Sequence, residues 1–300
     1  MKKLLVVGGT GFIGYHIIKE ANKRNFKIYS ISKNKPKNLR RIKGVNYILV
    51  NYANYNSLKK KLSGNYDFVI NAGGYGINPE FGKDGNKLIH SHFQGLINLL
   101  RIISFKNVKK FIQIGSSAEY GNVISPIKET SSCLPQTPYS IAKYLCTKHL
   151  INLSKKYKYP ITVFRLFQVY GPKQEKNRIL PFLIDNCKKN KTFLTTKGNQ
   201  TCDFCYIDDV VHAIFKSFTL KKSNSEIINL GSGKPIKIKY LINTIKKTLS
   251  GGKPKFGGLK YKKGINMKNF PDIKKAKRIL NWAPKTNLSN GIEKTISSYQ

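Results

Sequence analysis

Along the first half of this chain, short apolar runs alternate with longer stretches in which apolar residues recur every three or four positions. The runs Lys3–Gly8, Lys27–Ser32, Asn46–Val50, Asp67–Asn71, Lys110–Gly115 and Ile161–Leu166 have strand length and little internal polarity, the pattern of strands covered on both faces. Gly11–Lys23, Ser57–Leu62, Lys87–Ser104 and Pro138–Tyr157 read as helices. This alternation predicts an α/β architecture: a doubly wound parallel sheet with helices on both faces. Ligands of such sheets sit beyond the carboxyl ends of the strands. After Tyr170-Gly171-Pro172 the pattern becomes irregular, with shorter elements and Gly- and Lys-rich loops such as Ser250–Gly258. The reading divides the chain into a main domain, residues 1–171, and a smaller C-terminal lobe, residues 172–300. Parts near 203–235 return to the main domain, because Tyr206–Phe218 and Glu226–Leu230 again look like strand and helix.

The junction of the first strand and first helix carries the strongest chemical signal. Gly8, Gly11 and Gly14 stand in the spacing G-x-x-G-x-x-G within VVGGTGFIG. A strand must stop there, the backbone must turn tightly, and a helix must begin with its N–H groups uncovered. Those groups and the helix dipole make a site for a dinucleotide pyrophosphate. The context fits, because KKLLVV reads as a buried strand and FIGYHIIKEANKR as an amphipathic helix. The main domain is therefore expected to be of the Rossmann type and to bind NAD or NADP. NAD-preferring sites usually end the second strand with an acid that holds the ribose 2′-hydroxyl. Here the strand ends YSISKNK, with Ser32 and Lys33 next and Arg40 and Arg41 further on. Neutral and basic groups suit a 2′-phosphate, so NADP (as NADPH) is favoured and NAD remains possible. The competing account is that these residues belong to a general basic excess.

That excess is large: 55 Lys and Arg against 14 Asp and Glu give a net charge of +41 in 300 residues. Such charge favours anionic partners. The lysines are scattered over helices, loops and both halves, and there is no recognisable nucleic-acid module, so nucleic acid is not expected as the main partner. No apolar run approaches a membrane span, and Gly8 cuts short the apolar stretch at the start. A soluble cytoplasmic protein is expected. Five cysteines suggest reduced thiols. Cys202 and Cys205 form C-x-x-C, but no second pair exists to complete a zinc site, and the spacing reads as chance; no metal is expected.

Tyr139 and Lys143 form Y-x-x-x-K in TPYSIAKYLCTKHL, which puts both on one face of a helix. An ammonium one turn from a phenol favours the phenolate, and a free phenol titrating near ~10 needs that help for proton transfer at neutral pH. Ser116 and Ser117 follow the apolar run FIQI, at a strand end facing the ligand crevice. Taken one at a time, these are a surface pair and a turn; with the glycine loop they form a constellation.

At this point the chain resembles the extended short-chain dehydrogenase/reductase family, especially its nucleotide-sugar epimerases, dehydratases and reductases. GGTGFIG, VINAGG at Val69–Gly74, GSSAEYG at Gly115–Gly121, YSIAK at Tyr139–Lys143 and FRLFQVYGP at Phe164–Pro172 carry the likeness in order. DFCYIDDVV at Asp203–Val211, INLGSG at Ile228–Gly233 and AKRILNWAPK at Ala276–Lys285 extend it. The resemblance implies that Tyr139 is the acid/base, that Lys143 binds the nicotinamide ribose and tunes Tyr139, and that Ser116 polarises the same substrate oxygen. It implies a cofactor shell of Gly8, Thr10, Gly11, Phe12, Ile13 and Gly14, then Ser32, Lys33, Arg40, Asn51 and Tyr52, then Ala72, Gly73 and Gly74. It also implies substrate contacts at Ser117, Gln168 and Lys262, a substrate-binding C-terminal lobe and a homodimer paired through long helices.

Family dehydratases follow the catalytic hydroxyl with carboxylates, whereas Ser117 and Ala118 follow it here, so dehydration is disfavoured. GSSAEYG and RLFQVYGP look closest to 4-keto-6-deoxyhexose reductases. The expectation is NADPH-dependent reduction of a nucleotide-activated 4-keto sugar. Two alternatives stay open: a nucleotide-sugar 4-epimerase with bound NAD, and a non-catalytic nucleotide- or RNA-binding relative. Several positions depart from the family pattern: Cys202 and Lys262 where it has Arg, Gln168 and His92 where Asn is frequent, and Asn51 where Asp is common.

Overall fold

The computed structural model describes residues 1–62, 64–74, 79–261 and 264–299. In chain order the first elements are β1 (Lys3–Val7), α1 (Phe12–Lys23), β2 (Lys27–Ser32), β3 (Asn46–Leu49), α2 (Tyr55–Lys61), β4 (Phe68–Asn71), α3 (Lys83–Ile102), β5 (Lys110–Ser116), α4 (Pro138–Tyr157) and β6 (Ile161–Leu166). Then come β7 (Gln168–Tyr170), α5 (Ile179–Lys188), β8 (Thr192–Thr195), β9 (Thr201–Cys202), β10 (Phe204–Tyr206), α6 (Ile207–Lys216) and β11 (Glu226–Leu230). The chain finishes with β12 (Ile236–Lys237), α7 (Ile238–Leu249), β13 (Lys253–Phe256), β14 (Lys268–Asn269), α8 (Lys274–Leu280) and α9 (Leu288–Ser297).

Seven parallel strands make the main sheet in the order β11-β6-β5-β4-β1-β2-β3. The chain builds outward from β1 in one direction through β3, then returns to the other side of β1 with β4. That reversal opens a crevice between β1 and β4, at their carboxyl ends. β1 shows why both faces are covered: Leu4, Leu5, Val6 and Val7 are all buried. Leu4 and Val6 pack with Ile17, Ile18 and Ala21 of α1 on one face. Leu5 and Val7 pack with Leu96 and Leu99 of α3 and Leu150 of α4 on the other. This is the two-residue period of a strand dividing one apolar run between two cores.

Local chemistry sets the element ends. Gly8 takes φ +78°, which stops β1 one residue short of the expected boundary. α2 begins at Tyr55, two residues before the expected start, because the Asn54 side chain accepts from Ser57 N–H at 2.9 Å and caps the helix. α4 starts on a capping box: Thr137 Oγ1 accepts from Ser140 N–H at 3.2 Å, Thr137 N–H donates to Ser140 Oγ at 2.9 Å, and Pro138 occupies the first turn.

After β6 the chain forms small sheets: β7 with β10, β8 with β13, and β9 between β12 and β14. The strand-like stretch TCDFCYI is two strands, split at Asp203. The fully buried carboxylate of Asp203 accepts from the backbone N–H of Ser232 and Gly233 and from the Ser232 hydroxyl. Burial still pushes that carboxyl above its ordinary value. Asp209 ties α6 to the segment after α8, accepting from Lys285 N–H and Thr286 N–H at 3.0 Å each, while buried Trp282 donates its indole N–H to the Asp209 carbonyl at 3.1 Å. Two of the late sequence motifs are therefore partners in one joint. All five cysteines are free thiols. No described helix is long and apolar enough to cross a membrane.

Candidate active site

The glycine loop is shaped by close backbone approach. A Cβ on Gly8 would lie 2.7 Å from the Ala72 carbonyl oxygen, and one on Gly14 would lie 2.2 Å from the Gly8 oxygen. Gly11 is the N-cap of α1 and offers no side-chain cap, and the first turn, with Phe12 and Ile13, holds no acid. The positive end of a 12-residue helix is thus left bare beside Thr10 and Gly11. These features fit a dinucleotide pyrophosphate.

Contacts run from this loop to the expected catalytic helix. Gly73 follows the buried Asn71, whose side chain accepts from Gly73 N–H at 3.1 Å and donates to Gln113 at 2.9 Å. Lys143, buried, donates its ammonium to the Ile114 carbonyl at 2.9 Å and reaches the Gly73 carbonyl at 3.5 Å. It is thereby held at the carboxyl ends of β4 and β5, with its Nζ 5.9 Å from the Tyr139 ring centre. The Tyr139 ring meets the buried His92 edge-on at 5.9 Å. Gly74, at φ +125°, makes room for that imidazole, since a Cβ there would lie 1.9 Å from His92 Cε1. Gly95 does the same for Tyr52, whose ring would sit 2.4 Å from an added Cβ.

Ser116 ends β5, and α4 packs against β5 and the short turn that follows. Its Oγ accepts from Ala118 N–H at 3.2 Å, which leaves the hydroxyl proton to donate elsewhere. Ser117 is buried, so Ser116 is the better exposed of the two. Glu119 points away from the crevice: one oxygen accepts from Ser116 N–H at 2.8 Å, the other pairs with Arg165 Nε at 2.8 Å, and both side chains are buried. Arg165 also lies over the Tyr120 ring at 4.3 Å. Sequence reasoning missed this pair. Its signal was a lone arginine inside the apolar strand FRLF, which must find a buried countercharge.

At the carboxyl end of β2, buried Ser32 accepts from Thr10 N–H at 3.4 Å. Lys33 is exposed. Arg40 does reach the glycine loop, but it is buried and engaged with Thr10, Lys173 and Glu175. It is not free to grip a 2′-phosphate, which removes one leg of the NADP expectation. Asn51 is exposed and spends its side-chain oxygen on Ala53 N–H at 3.2 Å. Gln168 is exposed on β7, beside the sheet's carboxyl ends. Lys262 lies outside the described residues. His16, Tyr15, Lys173 and Glu175 were not anticipated. They clasp the segment after β7 onto α1: His16 Nε2 bonds the Pro172 carbonyl at 2.9 Å, and Lys173 Nζ donates to the Tyr15 hydroxyl at 2.9 Å.

Similarity to known proteins runs the length of the chain. The UDP-glucuronate 4-epimerase of Thermodesulfobacterium geofontis is 32% identical over 212 residues, 70% of this chain and 65% of that protein, so this match stops just short of two thirds of that relative. A putative UDP-glucose 4-epimerase of Methanocaldococcus jannaschii is 27% identical over 98% of this chain and 97% of its own. Among solved structures, the UDP-glucuronic acid 4-epimerase of Bacillus cereus, in complex with UDP-glucuronic acid and NAD, superposes with a TM-score of 0.84 at 26% identity, covering 99% of this chain and 98% of its own. All three are described as 4-epimerases, and this corrects the expectation of an NADPH-dependent 4-ketoreductase. The likeness to reductases rested on two short strings and on the basic residues after β2, of which Arg40 is already paired. The sequence model described as the NAD dependent epimerase/dehydratase family matches residues 4–231, and the chain belongs to that family.

Proposed function

We propose that this protein is a nucleotide-sugar 4-epimerase that works with NAD on a UDP-hexose or UDP-hexuronate. The observation that carries the reading is the gathering of Tyr139, Lys143 and Ser116 at the carboxyl ends of β4 and β5, beside the glycine loop, with no free carboxylate after Ser116. A dehydratase needs such an acid, and Glu119 is locked to Arg165. Tyr139 takes the proton from the sugar 4-hydroxyl and later returns it. Lys143, fixed by the Ile114 and Gly73 carbonyls, holds positive charge near the phenolate that forms. Ser116 donates to the same sugar oxygen. Bound NAD would accept a hydride from the sugar carbon and give it back to the opposite face. In the same reading α3 and α4, packed side by side, pair with a second copy.

The test is direct. Denaturing the purified protein should release NAD, and a panel of UDP-glucose, UDP-galactose, UDP-glucuronate and UDP-galacturonate should show interconversion at C4 without added reductant. Tyr139→Phe should lower turnover about 10²–10⁴-fold, as loss of a general acid/base does, while the nucleotide sugar still binds. Net consumption of NADPH with a 4-keto sugar, or full turnover by Tyr139→Phe, sinks the reading.

A further inference from the structure

The end of β2 lacks the acid that an NAD site usually places there. A carboxylate reaches the same rim from elsewhere in the chain. Ser32 Oγ accepts from Thr10 N–H at 3.4 Å, the Thr10 carbonyl accepts from Arg40 Nη1 at 3.4 Å, and that same nitrogen is 2.7 Å from Glu175 Oε1. These four residues form one row between the glycine loop and the end of β2, the place where a dinucleotide fold puts the adenosine ribose.

We propose that Glu175 sets the dinucleotide preference, holding Arg40 in an ion pair so that the rim accepts a ribose 2′-hydroxyl and rejects a 2′-phosphate. The proposal rests on the NAD-dependent reading above and assigns selectivity within that site.

Donor arithmetic supports it. A guanidinium has five N–H donors. Arg40 sends Nε and Nη2 to the Lys173 carbonyl, and Nη1 to both Thr10 O and Glu175, so four are committed. The side chain is only 6% exposed and cannot swing out without breaking all of them. A 2′-phosphate is recognised through a free, forked pair of donors, which Arg40 does not have to give. Lys173, the next cation along, is spent on the Tyr15 hydroxyl and the Leu39 carbonyl. Glu175 itself is 39% exposed, so its charge is felt at the rim and opposes a dianion. Lys33 and Arg41 are both exposed, each a lone cation on a flexible stem rather than part of a built site. The segment carrying Glu175 is fixed by more than the ion pair: His16 holds Pro172, and the Tyr299 hydroxyl donates to the Gln174 carbonyl at 3.1 Å. Removing the Glu175 charge therefore leaves the backbone in place and returns one Nη1 donor, which with the fifth, uncommitted N–H gives the guanidinium a pair to offer while its bonds to Lys173 and Thr10 remain.

The experiment compares wild type, Glu175→Gln, Glu175→Ser and the double variant Glu175→Gln/Arg40→Leu. NAD and NADP binding are measured by calorimetric titration of protein stripped of dinucleotide, and the resident dinucleotide of unstripped protein is identified by mass. Wild type should carry NAD and prefer it. Glu175→Gln and Glu175→Ser should each raise the ratio of NADP to NAD affinity by at least about tenfold, chiefly through tighter NADP binding. The double variant should lose that gain. An unchanged ratio in both single variants, with NAD still bound, overturns the proposal and leaves the NAD reading standing. Failure of wild type to bind either dinucleotide overturns both.

Discussion

Glu119 and Arg165 form an ion pair with side chains 0% and 2% exposed, directly behind the serine expected to touch substrate. Taking one partner away leaves the other as a buried, unpaired charge, which costs about 3–5 kcal/mol. Glu119→Gln and Arg165→Met should each show that loss in urea unfolding, whereas Glu119→Leu with Arg165→Met should recover most of it. If each single variant and the double unfold at the same midpoint, the pair is not what holds this layer. Burial also pushes the Tyr120 hydroxyl up to about 12, so it stays a neutral donor to Asn229 at 2.7 Å. At this scale the glycines were legible, because their spacing is a local property of a turn. Tyr139 and Lys143 were legible as one helix face. The ion pair was not, because its members lie in separate motifs whose meeting depends on how β5 and β6 pair.

Elements were readable wherever a single period ran long enough. β1, β2, β6 and α4 lie close to where the pattern places them. α2 begins before its apolar spacing predicts, because the Asn54 side chain caps it. The clasp after β7 could not be read, since it joins α1, the turn at Asn38–Arg40 and the segment at 172–175 through contacts more than a hundred residues apart. Its histidine gives an element-scale prediction. Burial, aided by the charges of Lys19 and Arg40, holds His16 below its ordinary value, against smaller opposing effects of Pro172 and Asp208. The unfolded chain takes up a proton near ~6.5 that the folded chain resists, so this contribution is present above that pH and is lost as pH falls through the folded value. The gap in melting temperature between wild type and His16→Gln should therefore narrow between about pH 7.5 and about pH 5.5. A gap that widens on acidification contradicts the assignment.

Seen whole, the molecule has few acids among many bases, and several of the 14 hold joints. Asp203 ties β9 and β10 to the turn after β11, Asp209 ties α6 to the chain beyond α8, and Glu175 meets Arg40. The remaining charge of +41 repels itself, and salt screens that repulsion. Raising ionic strength from ~20 mM to ~300 mM should lift the melting temperature by roughly 5 °C, and a fall would show that specific ion pairs outweigh the net field. The last third of the chain resisted sequence reading for a related reason: β9, β12 and β14 are two residues each, too short to show a period, and they exist only because distant segments pair with them.

β11 reaches the main sheet only after the chain has already traversed β7 to β10, α5 and α6, and it covers β6 from Thr162 to Leu166. A fragment ending at Gly171 would leave the buried flank of β6 with a bare row of amide and carbonyl groups, the template on which strands from neighbouring molecules add. The two halves are therefore not interchangeable modules: the second supplies the selvedge that keeps the first from unravelling into aggregates.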